Sequence, residues 1–261
     1  MKRVDGKFCR THSGVSKKKI VFAALNLHRG NIRKILFSAV AAAVIVLCGS
    51  GAKNESANTV ETFAVPMSGK VIVIDPGHGG IDAGASANGA VEKDLNLKIS
   101  FMLQKYIEES GGIAVLTRTD DVNTADPNRG RGVSQKSSDL KERKKDIEDY
   151  DADMFISIHM NKFGQTQYKG AQVFYSEGSE DSKILGEEMQ GALRETLDRE
   201  NRRSAKTGGN IFVLKGNTIP SVLIECGFLS NKEEAQMLSD EKYQRRTAWA
   251  IYVGMVRYFS K

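Results

Sequence analysis

Two histidines and two glutamates stand where they could hold a metal ion and move a proton. His78 and His159 are the only histidines after residue 35, and each lies at the end of a short apolar run. Glu92 comes fourteen positions after His78 and opens an amphipathic segment. Two imidazoles and one carboxylate are a common ligand set for catalytic zinc, which keeps a fourth position open. The pattern therefore predicts a zinc site made by His78, Glu92 and His159.

Other chemistries use parts of the same pattern. The same three ligand types could hold non-haem iron(II) in an oxygenase. Such sites usually pair a His-x-carboxylate unit with a distant histidine, whereas Gly79 and Gly80 follow His78 here. The stretch DPGHGG could also form a phosphate-binding glycine loop, but no Gly-Lys-Ser/Thr follows it. The HExxH pattern of many zinc proteases is absent from the sequence.

Glu225 interrupts an apolar run in the stretch SVLIECGF. A buried carboxylate is costly unless it is paired or has a raised pKa. Beside a metal site such a group is suited to act as a general base and then as an acid. The structural alternative is a salt bridge or a contact with a helix cap. The neighbouring Cys226 is expected to be a packed core thiol.

The elements that must position these residues follow from the apolar periodicity. Helices are predicted over residues 92–110, 138–150 (a charged surface helix) and 181–199, with a closing helix that ends near Phe259. Strands are predicted over residues 70–75, 113–117, 154–158, 171–175, 211–214 and 222–224. This alternation indicates an α/β fold, a single domain with a mainly parallel twisted sheet of about six strands and helices on both faces.

In such a sheet, ligands bind at the carboxyl ends of the strands. His78, His159 and Glu225 all lie at or just past the carboxyl end of a predicted strand. Glycine lets the backbone turn sharply there and leaves room at the edge of the sheet. This predicts a use for the glycines around His78, which are Gly77, Gly79, Gly80, Gly84 and Gly89.

The N-terminal part differs from the rest in charge. Residues 1–34 carry ten Lys/Arg and one Asp, whereas the remainder carries 28 Lys/Arg and 31 Asp/Glu. The basic character therefore belongs to an arm and does not indicate a nucleic-acid-binding domain. Residues 35–48 contain no charge, and residues 49–52 extend this apolar stretch to eighteen. Its length is that of a signal peptide or a marginal membrane span. A buried core helix is the alternative.

This division predicts four segments. They are a basic cytoplasmic arm (1–34), a signal peptide or membrane anchor (35–52), a linker (53–69) and a catalytic domain (70–261). Arg29, Arg33 and Lys34 place the arm in the cytoplasm, so the domain is expected to be exported. Leucine before Cys48 fits a lipoprotein cleavage site poorly. Only one of the three cysteines lies in the domain, so it cannot contain an internal disulfide, which is compatible with export from a Gram-positive cell.

Four segments in order carry a family resemblance: VIDPGHGG-x-D-x-GA, the acid of EKDLNL, SIHMN and IECGFLSN. Over about residues 70–259 they resemble the zinc-dependent N-acetylmuramoyl-L-alanine amidases of bacterial cell walls. The resemblance implies Zn²⁺ binding by His78, Glu92 and His159, catalysis by Glu225 and substrate contact by Asn161. It also implies cleavage of the amide between the lactyl group of N-acetylmuramic acid and L-alanine of the stem peptide.

The chain is most similar to the germination-specific amidases of spore-forming bacteria. This likeness implies removal of stem peptides so that muramic-δ-lactam can form in the spore cortex. The expected partners are peptidoglycan, a lipoprotein and, through the N-terminal segment, a membrane, but not nucleic acid. The expected location is outside the cytoplasmic membrane, anchored or secreted to the cell wall or the intermembrane space of the forespore. Met160 replaces a residue that is small in many relatives and is expected to reshape the groove.

Three alternatives remain from the sequence. The chain could be a vegetative cell-wall autolysin of the same family. It could be a non-catalytic peptidoglycan-binding module, although such a module would usually have lost the metal ligands. It could also be a membrane-tethered structural protein, which would leave Glu225 unexplained.

Overall fold

The structure is a computed structural model that describes residues 67–261. The predicted basic arm, the apolar segment and nearly all of the predicted linker lie outside the described residues, so the predictions for them stay predictions. Within residues 67–261, none of the helices combines the length and the apolarity that crossing a membrane requires.

The described chain alternates strands with helices, as the apolar periodicity predicted. The strands are β1 (Val71–Pro76), β2 (Ser86–Ala87), β3 (Ala90–Val91), β4 (Ile113–Leu116), β5 (Met154–Asn161), β6 (Gln172–Tyr175), β7 (Lys206–Thr207) and β8 (Ser221–Phe228). The α-helices are α1 (Glu92–Glu109), α2 (Gln135–Asp149), α3 (Glu180–Thr196), α4 (Lys232–Ser239) and α5 (Glu241–Phe259). A 3₁₀ turn spans Phe212–Leu214.

Six of the strands form one sheet in the order β4-β1-β5-β8-β6-β7. β4, β1, β5 and β8 run parallel, β6 is antiparallel to β8, and β7 pairs with β6 in parallel. The central strands read VIVIDP and MFISIHMN, because a strand covered on both faces is apolar at nearly every position. The predicted fold class, a mainly parallel α/β sheet with helices on both faces, is confirmed.

Two details of the predicted element list are wrong. Within the predicted strand 211–214, Phe212–Leu214 forms the 3₁₀ turn and no strand is present, and Lys206–Thr207 supplies the sixth strand instead. A run of four apolar residues cannot distinguish a strand from a helical turn by its periodicity. The helix α4 was not predicted. Its capping residue Asn231 accepts hydrogen bonds from the backbone N–H groups of Glu233 and Glu234.

The two faces of the sheet bury different cores. The larger core includes Ile74, Ile156 and Ile224 and packs against the apolar sides of α1, α3 and α5. The smaller core lies on the opposite face, where Phe155 and Leu223 pack beneath α2 and the 3₁₀ turn. Because strand side chains alternate between faces, His159 and Glu225 share the face of the smaller core.

Met160 lies on the opposite face from His159. Its side chain is 2 % exposed and belongs to the larger core. The expectation that Met160 reshapes the groove is therefore wrong, since only its backbone reaches the site.

Candidate metal and catalytic site

Three elements bring the predicted ligands together at the carboxyl edge of the sheet. His78 lies in the loop after β1, Glu92 is the first residue of α1, and His159 lies near the end of β5. One ligand atom from each of the three lies within 4.8 Å of the others. Oε1 of Glu92 is 3.3 Å from Nε2 of His78 and 3.0 Å from Nδ1 of His159. This cluster could hold a metal ion.

Glu92 is buried but well supplied with hydrogen bonds. Its Oε1 accepts the backbone N–H of Met160 at 3.0 Å, and its Oε2 accepts that of Ala85 at 2.7 Å. Burial alone would raise the pKa of Glu92, but its contacts with His159 and His78 outweigh burial and hold that pKa well below its usual range. The carboxylate is therefore ionised at neutral pH, which is the form that binds a cation.

Asp82 orients the ring of His78. Nδ1 of His78 lies 3.0 Å from Oδ2 of Asp82, which leaves Nε2 directed at the cluster. A carboxylate on the second nitrogen fixes the tautomer and the ring position of a ligating histidine. Burial acts to lower the pKa of His78, yet the contacts with Glu92 and Asp82 raise it overall. Sequence reasoning did not assign Asp82 a role, although it stands four positions after His78 in GHGGIDAGA.

Two buried arginines hold the loop that carries His78. The backbone of His78 has φ of +64°, in the left-handed region that few residues other than glycine adopt. Arg118 donates to the carbonyls of Pro76 and Gly77 at 2.9 and 3.1 Å. Arg143 donates to the carbonyls of Pro76 and His78 at 2.9 and 2.6 Å. These bonds offset the strain and fix where the imidazole stands.

Arg143 belongs to a buried charge network under the loop. Its guanidinium pairs with Asp75 at 2.7 Å and with Asp139 at 2.7 Å. Asp75 also accepts the hydroxyl of Ser157 at 2.7 Å. Burial acts to lower the pKa of Arg143, but the two carboxylates raise that pKa by more than burial lowers it. The guanidinium therefore stays charged. The prediction of a charged surface helix at α2 is therefore incomplete, because the face of α2 that carries Asp139 and Arg143 is buried in this network.

Two of the glycines are required by close approach of the ligands. A Cβ at Gly77 would lie 2.2 to 2.7 Å from three atoms of the His159 ring. A Cβ at Gly84 would lie 2.5 Å from Oε2 of Glu92 and 2.7 Å from Cδ2 of His78. The glycines therefore give the ligand side chains room, in addition to letting the chain turn.

Glu225 stands next to His159 in the sheet. The two residues are register partners on β8 and β5, so their side chains share one row. Oε2 of Glu225 is buried and has no hydrogen-bond partner among the described residues, so the structural alternative of a salt bridge has no support at this atom. Burial raises the pKa of Glu225 to about 7, with the charge of Glu92 adding to the rise and His159 opposing it. Such a carboxyl exchanges a proton readily near neutral pH.

Cys226 follows Glu225 but faces the larger core. Its side chain is 1 % exposed, and burial raises the pKa of its thiol far above the usual value. It is therefore a packed core thiol, as predicted from the sequence.

Two hollows flank the row that holds His159 and Glu225. One, of about 210 Å³, lies on the α2 side and includes His78, Asp82, Lys136 and Phe212 in its lining. The other, of about 300 Å³, lies on the β6 side. It is lined by Asn161, Phe163, Tyr168, Gln172, Phe174, Arg203, Lys206 and Phe228. The structure thus places Asn161 in a groove beside the catalytic candidates and not among the three metal ligand candidates.

Comparisons with known proteins agree with the sequence resemblance. A family model described as N-acetylmuramoyl-L-alanine amidase matches residues 72–257. The germination-specific N-acetylmuramoyl-L-alanine amidase of Bacillus subtilis (strain 168) is 38 % identical over 200 residues, which cover 76 % of this chain and 84 % of that protein.

Solved structures show the same likeness. The CwlD amidase from Clostridioides difficile, solved in complex with the GerS lipoprotein, is 46 % identical with a TM-score of 0.70. That match covers 73 % of this chain and 98 % of the solved one. An N-acetylmuramoyl-L-alanine amidase from Clostridium difficile 630 is 31 % identical with a TM-score of 0.64, over 74 % of this chain and 98 % of the other.

Proposed function

The chain belongs to the N-acetylmuramoyl-L-alanine amidase family, and from that membership we propose that it cleaves its peptidoglycan amide with a zinc ion held by His78, Glu92 and His159. The observation that carries the proposal is the convergence of the three ligand atoms within 4.8 Å, with Glu225 in the adjacent strand register. The donor set fits zinc, since it consists of two imidazole nitrogens and one ionised carboxylate. Oε2 of Glu225 is buried beside this set without a hydrogen-bond partner within residues 67–261, which fits a polar group that is used in the reaction.

The protein residues divide the work of hydrolysis. When bound, zinc supplies Lewis-acid polarisation of the scissile carbonyl and lowers the pKa of water. Glu225 accepts a proton from the attacking water on its carboxylate. The water oxygen bonds to the carbonyl carbon, the carbon–nitrogen bond breaks, and Glu225 returns the proton to the departing nitrogen. The products are the free lactyl carboxyl group and a peptide with an amino-terminal L-alanine.

Glu92 and Asp82 keep the site in its reactive arrangement. The lowered pKa of Glu92 keeps its carboxylate ionised toward the metal, and Asp82 keeps Nε2 of His78 available as a ligand. The raised pKa of Glu225 suits a group that must both accept and return a proton near pH 7. The two glutamates therefore have opposite environments and separate roles.

We also propose that the chain acts during sporulation and prepares the cortex for muramic-δ-lactam formation. The germination-specific relative from Bacillus subtilis supports this over a vegetative autolysin. The assembly of the CwlD amidase with a lipoprotein supports a lipoprotein partner for this chain. The basic arm and the apolar segment support export to the outer face of the cytoplasmic membrane, with or without an anchor. A non-catalytic module is disfavoured, because all four metal and catalytic candidates are present.

Mass spectrometry of digested peptidoglycan tests the activity. The full chain loaded with zinc should release intact stem peptides that begin with L-alanine and leave glycan strands with unsubstituted muramic acid. The Glu225→Gln variant, prepared in the same way, is the matched control and should release few peptides. Fragments cut within the glycan or within the peptide would contradict the proposal.

The spore role has a separate test. Spores that lack the chain should contain no muramic-δ-lactam, and wild-type chain should restore it whereas Glu225→Gln should not. Normal lactam content in spores without the chain would contradict the cortex role and leave the amidase activity intact.

A further inference from the structure

We propose that the groove on the β6 side of Glu225 binds the acidic stem peptide of the substrate, with Arg203 and Lys206 receiving its carboxylates. The proposal rests on the amidase function given above and specifies which side of the scissile amide lies in this groove. The other hollow, beside His78, is then left for the muramoyl side.

The order of side chains across the sheet indicates on which side of Glu225 the peptide part of the substrate lies. His159 pairs in register with Glu225, and Glu225 pairs with Gln172 on β6. The three side chains therefore form one row on one face, with adjacent strands about 4.8 Å apart. Glu225 must reach the departing nitrogen to give it a proton, so that nitrogen lies beside the Glu225 carboxyl, at the edge of the metal site that faces β6. The peptide attached to it continues over Gln172.

Gln172 offers a buried acceptor at the entrance to the groove. Its side chain is 2 % exposed, and its Nε2 donates to the carbonyls of Val173 and Ser204 at 3.1 and 2.6 Å. These two bonds fix the amide orientation and leave Oε1, which is buried and has no partner among the described residues. Such an atom is costly unless a ligand supplies a donor. A backbone N–H of a bound peptide would supply it.

The charge of the groove selects the chemistry of its occupant. Its lining contains Arg203 and Lys206 and no acidic residue. Nε of Arg203 donates to the carbonyl of Lys169, and its guanidinium lies 4.8 Å from the ring centre of Phe228. Within residues 67–261 neither cation lies within salt-bridge distance of a carboxylate, although the charge of Arg203 acts on the buried carboxyl of Glu234. By contrast, the hollow beside His78 carries both Lys136 and Asp82 at its surface.

The walls of the groove suit an extended peptide. Aromatic rings line it, including an edge-to-face pair of Phe163 and Tyr168 with centroids 5.1 Å apart. Stem peptides are short, carry free carboxylates beyond the first alanine and have few bulky side chains. A cationic groove with aromatic walls and one buried acceptor that has no partner within residues 67–261 therefore complements the peptide better than it complements the neutral sugar.

Kinetics with two substrates test the proposal. One is an N-acetylmuramoyl tripeptide with free carboxylates, and the other is the same compound with those carboxylates amidated. With the full chain, Lys206→Gln should raise KM for the acidic substrate about three- to tenfold without changing kcat. The KM for the amidated substrate should stay the same. Lys206 is exposed, so its substitution disturbs no packing. Arg203→Gln should act in the same direction.

The matched control is Lys98→Gln, which removes one exposed positive charge from α1 and should change neither KM. Equal KM values for wild type and Lys206→Gln, or an equal rise with both substrates, would overturn the proposal. If the wild-type chain cleaves neither substrate, the proposed function fails. Calorimetry would then still test whether the groove binds the peptide. At low salt the free acidic tripeptide should bind the zinc-free wild-type chain several-fold more tightly than it binds Lys206→Gln.

Discussion

The variant Glu225→Gln should raise the unfolding free energy of the metal-free protein above about pH 7. In the zinc-loaded protein the same variant should lose most of the hydrolytic activity. The pKa of Glu225 rises from its ordinary value of 4.5 to about 7 in the folded chain because of burial. At about 1.4 kcal/mol per pKa unit, ionising this carboxyl costs the folded state about 3 kcal/mol. Glutamine has nearly the same volume and carries no charge, so it avoids this cost.

The sign of the effect fixes its pH window. Below about pH 4.5 both folded and unfolded chains keep Glu225 protonated, and the penalty is absent. Between about 4.5 and about 7 the unfolded chain releases the proton first, so the free energy of unfolding falls as pH rises. Above about pH 7 the full penalty applies. The difference in unfolding free energy between Glu225→Gln and wild type should therefore grow from near zero at pH 4.5 to about 3 kcal/mol at pH 8.

Urea unfolding of EDTA-treated chains at several pH values measures this difference. Glu234→Gln is the matched control, because both of its carboxylate oxygens accept backbone N–H groups, at 2.8 Å from Gly170 and 2.7 Å from Phe228. In Glu234→Gln the amide NH₂ would face the backbone N–H of Gly170 or of Phe228, and two donors cannot bond to each other. This variant should therefore be less stable than wild type. If Glu225→Gln is also less stable than wild type at pH 8, Glu225 has a structural partner and the reasoning is refuted.

The same Glu225→Gln protein should bind zinc as wild type does and should hydrolyse peptidoglycan at least about a hundredfold more slowly. Its zinc content by elemental analysis separates this loss from a loss of metal. Near wild-type release of stem peptide would contradict the assignment of Glu225 as the proton carrier.

Three further outcomes are expected. His159→Ala should lose both zinc and activity, and full zinc occupancy by elemental analysis would contradict its assignment as a ligand. Gly77→Ala should weaken zinc binding by at least about tenfold in a competition titration, because the new Cβ meets the His159 ring, whereas Gly130→Ala, which points into open space, should have no effect. Arg143→Met should lower the unfolding free energy by about 3–5 kcal/mol in urea, because it leaves Asp75 buried without its partner, and a loss below about 1 kcal/mol would show that the network does not hold the loop.

Sequence patterns predicted the order of the main elements and singled out the residues that the structure brings together at the candidate site. Apolar runs that end in histidine or glutamate are visible in the sequence, and the parallel sheet brings their carboxyl ends together. The strand predicted at 211–214 failed because its apolar residues cover the smaller core from a 3₁₀ turn. Short polar elements such as Lys206–Thr207 carry no periodic signal at all.

The supporting contacts could not be predicted, because they join residues far apart in the sequence. Arg143 resembles the other charges of its helix until the fold brings it under the His78 loop. Gln172 looks like an ordinary strand residue, and only the register with Glu225 places it at the groove. Asp82 is the exception, since an acid four positions after a histidine in a glycine-rich loop is a local signal.

The clamping of the His78 loop has a consequence for the order of folding. Its backbone carbonyls are bound by Arg143 and Arg118, which lie 65 and 41 positions away from the residues they hold, and by Asn96 on α1. Contacts over such separations carry the entropy cost of closing long loops before they can form. The reactive centre is therefore assembled only when α1, α2 and the segment after β4 have all docked. A chain that crossed a membrane unfolded would therefore lack the assembled site during the crossing. It would complete the site only after it had folded on the far side.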